Sequence, residues 1–500
     1  MKRKFISLLI TLIMCSCISG NVYAFAPYKN YVPSYQYKTV MGPQAYLPSN
    51  FIAIQQSNQL LMPNYTDMAT DSNRNIYIID KSNSILLIYN SLYNKIKEVK
   101  EVVIDSKVSP FKNPEGLFIT PDDMLYIADT GNKRIIELTT DLNVKRVISE
   151  PKSELFSEDF VYQPIKLAVD NAKRIYVIAK NENRGLIEFD IDGKFSSFLG
   201  AALVTPSLTE IIFKRFASKE MRERMKSFVP TEYNSITLDK DGFLMVTTDS
   251  LEADLIVGAI NSRSSDPRGT PIRKLNMTGV DILRRTGFRP PVGDVSFNLN
   301  DGPSKLCDIV AQNYGIYSVL DNKRCKVFTY DSDGNMLYVF GTKGDVEGTT
   351  RNPVALCKFE DKMIVLDGQL GTITEYSLTQ YGNMVNSLIA ANYDGKYQET
   401  IKLSRSLLQL NSNNDLAYDG IAKAAYREGN YIDAYDYAKL ANDRLLASKS
   451  FKYVRKNAMS KYIGPIIILI FILIILWMIF SLFKFLKNKK NIYNAGRKES

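Results

Sequence analysis

The segment NPEGLFITPDDMLYIADTGNKRI, residues 113–135, contains the pattern that decides the fold. Short apolar runs rich in β-branched and aromatic residues alternate in it with clusters of turn-forming residues. This alternation predicts a strand, a turn, a second strand, a turn and a third strand. A single small sheet of this kind cannot cover both of its own faces, so we expect further copies in the chain.

The same frame recurs along the chain. Prolines mark the repeats at positions 63, 114, 164, 230, 303 and 353, with gaps of 51, 50, 66, 73 and 50 residues. Four-stranded units that recur in constant order predict blades arranged radially in a β-propeller. The segment 35–56 is expected to supply the strand that closes the ring with the last blade, which leaves no open sheet edge.

The repeats resemble the NHL-repeat family, and LYIADTGNKRI at residues 125–135 carries the resemblance most clearly. The resemblance covers about residues 63–382 and implies a six-bladed propeller, which we assign to residues 35–382. The two long gaps predict a helical insertion at 200–229 and a loop insertion at 250–302.

After the propeller, the apolar period changes from 2 to 3.6. Gly395-Lys396-Tyr397 and Gly429-Asn430-Tyr431 are 34 residues apart, which resembles the tetratricopeptide period. We predict a short tetratricopeptide-like helical region at 383–456. It is either a stalk packed on the propeller or a peptide-binding element, since a free-standing solenoid needs about three repeats or more.

Both ends of the chain have membrane-related patterns. Residues 1–24 read as a signal peptide that ends in Val-Tyr-Ala, with an uncleaved anchor or a lipoprotein at Cys17 as alternatives. Residues 463–483 contain no charge and as a helix would span about 30 Å, so they predict one transmembrane helix. Residues 484–500 form a basic tail.

The distribution of basic residues does not determine the orientation of the predicted transmembrane helix. Lys449, Lys452, Arg455, Lys456 and Lys461 precede it and six basic residues follow, so the positive-inside rule gives no decision. The export signal therefore predicts a single-pass protein of the cell membrane, with an extracytoplasmic body and a cytoplasmic tail. The net charge is +10, but only +2 remains for residues 25–462, so no nucleic acid partner is predicted.

The sequence contains no histidine, which excludes Ser-His-Asp and Cys-His nucleophile systems and histidine metal ligands. A peptide-amidating lyase, another propeller family, depends on histidine ligands and is excluded with them. We predict no catalytic residue and no cofactor.

One enzymatic alternative stays open. Gluconolactonase-like propellers hold a divalent cation on Glu, Asn and Asp at the central channel, and the resemblance directs attention to five residues near the strand entrances. These residues are Asp67, Glu115, Lys166, Asn234 and Asp308. A lysine among them argues against a cation, because a hard cation needs several converging oxygen ligands.

Other polar residues have structural interpretations. Asp80, Asp129, Asp321 and Asp367 recur at strand ends, where aspartate forms turns by accepting backbone hydrogen bonds. After export three cysteines remain. Cys307 and Cys357 each follow a marker proline by four residues and are expected to be equivalent buried thiols, while a Cys307–Cys325 disulfide stays open.

The helical insertion supplies the predicted partner site. Phe213, Phe216 and Met225 lie near helical spacing among charged residues, either as a helix that covers a propeller face or as a docking element. The whole order resembles bacterial membrane-anchored NHL-repeat proteins. This implies a tethered binding or scaffold protein for a protein, peptide or glycan, near components of a sugar ABC transporter.

Overall fold

The computed structural model describes residues 26–33, 39–55, 61–156, 159–200, 232–249, 251, 253–262, 269–287, 289–295 and 302–496. The chain divides into two compact units, one comprising residues 1–394 with 409–413 and the other residues 395–408 with 414–500. Within the described part of the first unit, six antiparallel sheets form the blades of a β-propeller. This confirms the predicted mainly β, six-bladed fold.

Each blade is a meander that starts at the channel and runs outward. The strands of the first three blades are, in order, Tyr65–Thr70, Ile76–Asp80, Ile85–Tyr89 and Lys95–Val99; Gly116–Ile119, Met124–Asp129, Arg134–Thr139 and Val144–Ile148; Pro164–Val169, Ile175–Ala179, Leu186–Phe189 and Phe195–Leu199. The strands of the last three blades are Ser235–Leu238, Leu244–Thr247 and Ile272–Leu275; Leu306–Ala311, Tyr317–Asp321, Lys326–Tyr330 and Met336–Phe340; Pro353–Phe359, Lys362–Asp367, Thr372–Leu378 and Tyr46–Ala53.

The last blade takes its fourth strand from the N-terminal part of the chain. Tyr46–Ala53 pairs antiparallel with Thr372–Leu378, and Ile52 lies opposite Ile373. The predicted closing segment thus contains the closing strand. Its earlier part does not join that strand, because Thr39–Gly42 pairs with Asn30–Pro33 in a separate hairpin. Closing the ring with N-terminal and C-terminal strands joins the two ends of the propeller sequence.

The apolar core lies between neighbouring blades. Second and third strands such as Ile76–Asp80 and Ile85–Tyr89 are buried along their whole length, because a blade packs against each of their faces. Separate clusters join successive blades; Tyr77 and Leu125, for example, pack together between the first and second. Burial on both faces explains why these strands are continuous apolar runs.

The segment 250–302 was predicted to be a loop insertion, and this is wrong in part. Ile272–Leu275 is the third strand of the fourth blade, and Ala253–Ser262 (α1) is a helix before it. The strand escaped prediction because IRKL has only two apolar residues in four, and the burial of Arg273 reflects its neighbours in the fold.

The remaining elements are short. A hairpin of Glu101–Ile104 and Lys107–Pro110 lies between the first two blades, and 3-10 turns occupy Thr130–Asn132 and Asn313–Gly315. Helix α2, Gln380–Tyr393, follows the last blade and is capped by the Thr379 hydroxyl, which accepts a hydrogen bond from the Gly382 N–H at 3.1 Å.

The second unit is helical. Its helices are Tyr397–Leu410 (α3), Asp415–Arg427 (α4), Tyr431–Leu440 (α5) and Arg444–Gly496 (α6), with the end of α3 assigned to the first unit. Ala422, Ala438 and Leu446 pack where α4, α5 and α6 meet, and the two alanines allow close approach. The predicted helical region is confirmed, and its tetratricopeptide identity stays a prediction.

Candidate functional site: the central channel

The first strands of the six blades surround the channel. Each inner strand lies beside that of the next blade, and the last lies beside the first. The strand registers assign one equivalent position to each blade, opposite Ile79, Ala128, Ile178, Thr247, Leu320 and Leu366 of the second strands. The six residues at this position, which we call the channel ring, are Asp67, Gly116, Lys166, Ser235, Asp308 and Ala355.

The three charged members of the channel ring meet. The Lys166 ammonium contacts Asp67 Oδ1 directly and lies 3.6 Å from Asp308 Oδ1. The side chains of Asp67 and Asp308 are 3% and 9% exposed, and that of Lys166 is 14% exposed. A lysine of the third blade therefore bridges carboxylates of the first and fifth blades in a place largely removed from water.

Backbone N–H groups and a hydroxyl group also donate hydrogen bonds to the two carboxylates. Asp67 Oδ2 accepts from the Leu117 N–H at 2.8 Å, and Asp308 Oδ2 accepts from the Leu356 N–H at 2.7 Å. Asp308 Oδ1 also accepts from the Ser235 hydroxyl at 2.6 Å. An inner strand is a sheet edge whose N–H groups need acceptors, so each carboxylate satisfies the edge of the next blade.

These bonds extend one polar network through all six blades. The Leu117 and Leu356 N–H groups follow Gly116 and Ala355, whose small size gives the carboxylates access. A Cβ at Gly116 would lie 2.2 Å from the Ile165 carbonyl oxygen, so this position also needs glycine for close packing between blades. Charged residues of the first, third and fifth blades alternate in this network with small residues of the second, fourth and sixth blades.

Burial and charge set the protonation of the network. Burial alone lowers the pKa of Lys166, but Asp308 and Asp67 together raise it above its ordinary value. Burial raises the pKa of Asp67, and Asp308 adds to this effect against the lowering influence of Lys166. The amine of Lys166 therefore stays protonated near neutral pH and has no free electron pair with which to act as a nucleophile or base.

The channel ring does not fit a divalent cation. It offers two carboxylates, and Lys166 places a positive charge between them, where a metal ion would be repelled. Among the residues that the structure describes, no group of three or more Asp, Glu or Cys side chains is arranged to hold a metal ion.

Two of the five residues taken from the sequence stay outside the network. Glu115 Oε1 binds the ammonium groups of Lys180 at 2.5 Å and Lys81 at 2.9 Å, which joins the first three blades. The Asn234 side-chain amide donates to the Leu306 carbonyl at 2.6 Å. Glu115 and Asn234 each precede a channel-ring residue by one position. They are near the strand entrances in the sequence, but the strand register shows that they are not members of the channel ring. The sequence reasoning missed Ser235, which only the register identifies.

The four aspartates at strand ends have the predicted structural role. Each accepts a hydrogen bond from a backbone N–H in the connection that leads into the inner strand of the same blade. The pairs are Asp80 with Asn64 at 3.1 Å, Asp129 with Lys112 at 2.8 Å, Asp321 with Lys305 at 3.2 Å and Asp367 with Asn352 at 3.1 Å.

The three cysteines among the described residues, Cys307, Cys325 and Cys357, are free thiols. Cys357 has the predicted place, equivalent to Phe118 and Ala168, but the equivalence of Cys307 is wrong. Cys307 lies in a β-bulge between Leu306 and Asp308. The proline at 303 precedes its channel-ring residue by five positions, whereas those at 114, 164 and 353 precede theirs by two. Burial raises the pKa of the Cys307 and Cys357 thiols, so neither is poised as a nucleophile.

The predicted docking residues Phe213, Phe216 and Met225 lie outside the described residues. Their proposed role as a partner site stays a prediction.

Comparisons with known proteins return structural likeness only. The chain matches no protein-family model and no curated protein. Among solved structures, a virginiamycin B lyase from Staphylococcus aureus is 10% identical and has a TM-score of 0.40, with 66% of this chain and 99% of that chain covered. A Bacteroides thetaiotaomicron protein of unknown function is 12% identical, with a TM-score of 0.41 and coverage of 70% and 76%. A candidate gluconolactonase is 10% identical, with a TM-score of 0.38 and coverage of 68% and 94%.

Proposed function

We propose that this chain is a membrane-tethered extracytoplasmic binding protein whose propeller is the interaction platform. The observation that carries the proposal is the Lys166 bridge between Asp67 and Asp308. In this bridge the charged groups of the channel ring bind one another. We therefore expect a partner to bind on the outer surfaces of the propeller. A lactonase-like cation site is not supported by these residues.

The tether is the apolar part of α6. The segment from Arg444 to Lys489 contains a window of mean hydropathy 3.3, and none of that window is buried within the protein. By length and composition this helix can cross a membrane. The extracytoplasmic placement of the body rests on the signal segment 1–24, which lies outside the described residues.

The hairpin between the first two blades supports a protein or peptide partner over a glycan. Val103 and Val108 are cross-strand neighbours in it, and they are 60% and 62% exposed. Asp105 and Ser106 form its tip with positive φ angles of 49° and 63°. Two adjacent exposed valines at a tight turn present apolar surface that a protein partner would cover.

The test is site-specific photocrosslinking in cells with a photoreactive residue at 103, at 213 or at 97. We expect positions 103 and 213 to capture the same defined proteins, and a transporter subunit among them would extend the proposal to the sugar transporter. Lys97, exposed on the outer strand of the first blade, is the control. The proposal is overturned if neither 103 nor 213 captures a partner while calorimetry on the full chain in detergent shows calcium or manganese binding.

A further inference from the structure

The stretch of α6 that precedes the apolar segment is strongly basic. Residues 444–462, which we call the stem, contain Arg444, Lys449, Lys452, Arg455, Lys456 and Lys461 and no acidic residue. The stem is helical throughout and runs directly into the apolar segment.

One face of the stem packs inside the helical unit. Leu446 lies in the cluster with Ala422 and Ala438, and Ser450 is fully buried. The Tyr453 ring stacks on the Tyr431 ring, with centroids 4.5 Å apart and an interplanar angle of 13°. These contacts fix the rotation of the stem about its own axis.

The exposed part of the stem presents a line of cations. Lys449, Lys452 and Lys456 follow helical spacing, Arg455 lies beside them, and all four are exposed. We call these four residues the basic stripe. Within the described residues, none of the four forms an ion pair. A helix face with four unneutralised cations repels itself unless an anionic surface lies nearby.

The stripe is close to the membrane that the apolar segment would enter. At 1.5 Å per residue, Lys461 lies about 3 Å, Lys456 about 10 Å and Arg455 about 12 Å along the helix from residue 463. The headgroup layer is about 5–7 Å thick on each side, and the screening length is about 8 Å at physiological salt. These side chains are therefore within electrostatic reach of lipid phosphates.

A proline lies at the same boundary. Pro465 is inside α6, and proline lacks the N–H that would bond the carbonyl of Lys461. Loss of this bond permits bending at the entry of the apolar segment. Bending toward the stripe would bring Lys452 and Lys449 down to the headgroups.

We infer that the basic stripe binds anionic phospholipid headgroups of the leaflet on the N-terminal side of the apolar segment and thereby sets the tilt of the stem. This rests on the membrane tether of the proposed function. The cations attract phosphate, and the stripe is continuous with the membrane-entering helix, so a bilayer is the surface that always lies next to it. A soluble polyanion would have no such fixed proximity.

The test uses the full chain in vesicles with the reporter pair Tyr462→Trp and Trp477→Phe, since Trp477 is the only tryptophan. Energy transfer is measured to dansyl-labelled phosphatidylglycerol or to dansyl-labelled phosphatidylcholine at equal label density. We expect at least twofold more transfer to phosphatidylglycerol, and we expect 0.5 M salt to reduce the difference.

Two variants separate the stripe from other charges. The fourfold change Lys449→Gln, Lys452→Gln, Arg455→Gln and Lys456→Gln should equalise transfer to the two lipids. The matched change Lys484→Gln, Lys487→Gln and Lys489→Gln, on the other side of the apolar segment, should leave the preference at the stem intact. Equal transfer in the unmodified stripe overturns the inference, as does a preference that survives the fourfold change.

Failure of the tether gives a different result. The chain should float with vesicles of phosphatidylcholine alone, because insertion depends on the apolar segment and not on the stripe. Absence from the floating fraction would refute the membrane tether, whereas flotation without a phosphatidylglycerol preference refutes only the stripe. Soluble polyphosphate that abolishes the preference at submicromolar concentration would assign the stripe to a polymer and overturn its assignment to lipid.

Discussion

Lys166 Nζ contacts Asp67 Oδ1 across the channel and so joins the third blade to the first. Asp308 on the fifth blade lies 3.6 Å from the same ammonium, so one cation is the counter-charge shared by two buried carboxylates. Removing the cation would leave both carboxylates without a counter-charge in a desolvated place. We therefore expect the propeller to be sensitive to a single substitution in the channel ring.

Lys166→Met should lower the free energy of unfolding by about 3 kcal/mol or more, because buried carboxylates would lose their partner. The measurement is urea unfolding of the full chain in detergent. Lys97→Met, on the exposed outer strand, should change it by less than about 0.5 kcal/mol. Equal effects of the two substitutions would contradict a structural role for the bridge.

The deficit of Lys166→Met should shrink as pH falls from 8 to 4. Burial and Asp308 raise the folded-state pKa of Asp67, and without Lys166 only the hydrogen bond from the Leu117 N–H lowers it. The pKa of such a carboxyl group is higher in the folded state than in the unfolded chain. Its contribution to stability is therefore complete below the unfolded-state pKa and is lost as pH rises through the folded-state pKa. Unfolding of wild type and variant at both pH values measures the change, and a constant deficit would speak against buried carboxylates as its origin.

Gly116→Ala should destabilise the propeller by about 1–3 kcal/mol, because the new Cβ would lie 2.2 Å from the Ile165 carbonyl oxygen. Gly258→Ala is the matched control. Gly258 lies in helix α1 with nothing within 4 Å of an added Cβ, so alanine should be neutral or stabilising by up to about 1 kcal/mol. Thermal unfolding of both variants distinguishes the two positions.

Alkaline solution should unfold the chain cooperatively above about pH 10. Burial raises the pKa of Tyr162, Tyr330 and Tyr376, so the folded state keeps protons that the unfolded chain releases near pH 10. The stability contributed by these groups is complete below pH 10 and is lost as pH rises toward the folded pKa values. Absorbance at 295 nm should rise together with the unfolding signal; ionisation well before unfolding would contradict the burial.

Cys307, Cys325 and Cys357 should resist a maleimide reagent in the folded chain at pH 7.5. Burial raises the pKa of Cys307 and Cys357, and burial also raises that of Cys325, to about 11.

The number of maleimide labels in guanidinium tests whether residues 1–24 are removed. Three labels by mass spectrometry indicate loss of residues 1–24, and five indicate retention, because Cys15 and Cys17 belong to that segment.

Much of the architecture was predictable because it depends on local patterns. Apolar runs at 76–79 and 125–128, with turn residues between them, specify strands and blades without knowledge of neighbours. The third strand of the fourth blade was not predictable in this way. Ile272–Leu275 contains Arg273 and Lys274, and its place in the sheet depends on pairing with Leu244–Thr247.

The candidate site shows the same division. Asp67, Lys166 and Asp308 were already singled out by their position near strand entrances, but so were Glu115 and Asn234. A shift of one residue moves a side chain to the other face of a strand, so the two groups separate only when the register is known. The predicted equivalence of Cys307 was wrong because the distance from the marker proline to the channel-ring residue differs between blades, and only the register shows that distance.

By itself, the sequence determined the repeat, the mainly β class, the absence of histidine chemistry and the charge-free segment 463–483. Each of these follows from composition or from a period along the chain. The tertiary structure decided that Lys166 meets two carboxylates in the channel and that Lys449, Lys452, Arg455 and Lys456 lie on the exposed part of the packed stem. Both depend on side chains from distant positions or on the rotation of a packed helix, which only the folded chain establishes.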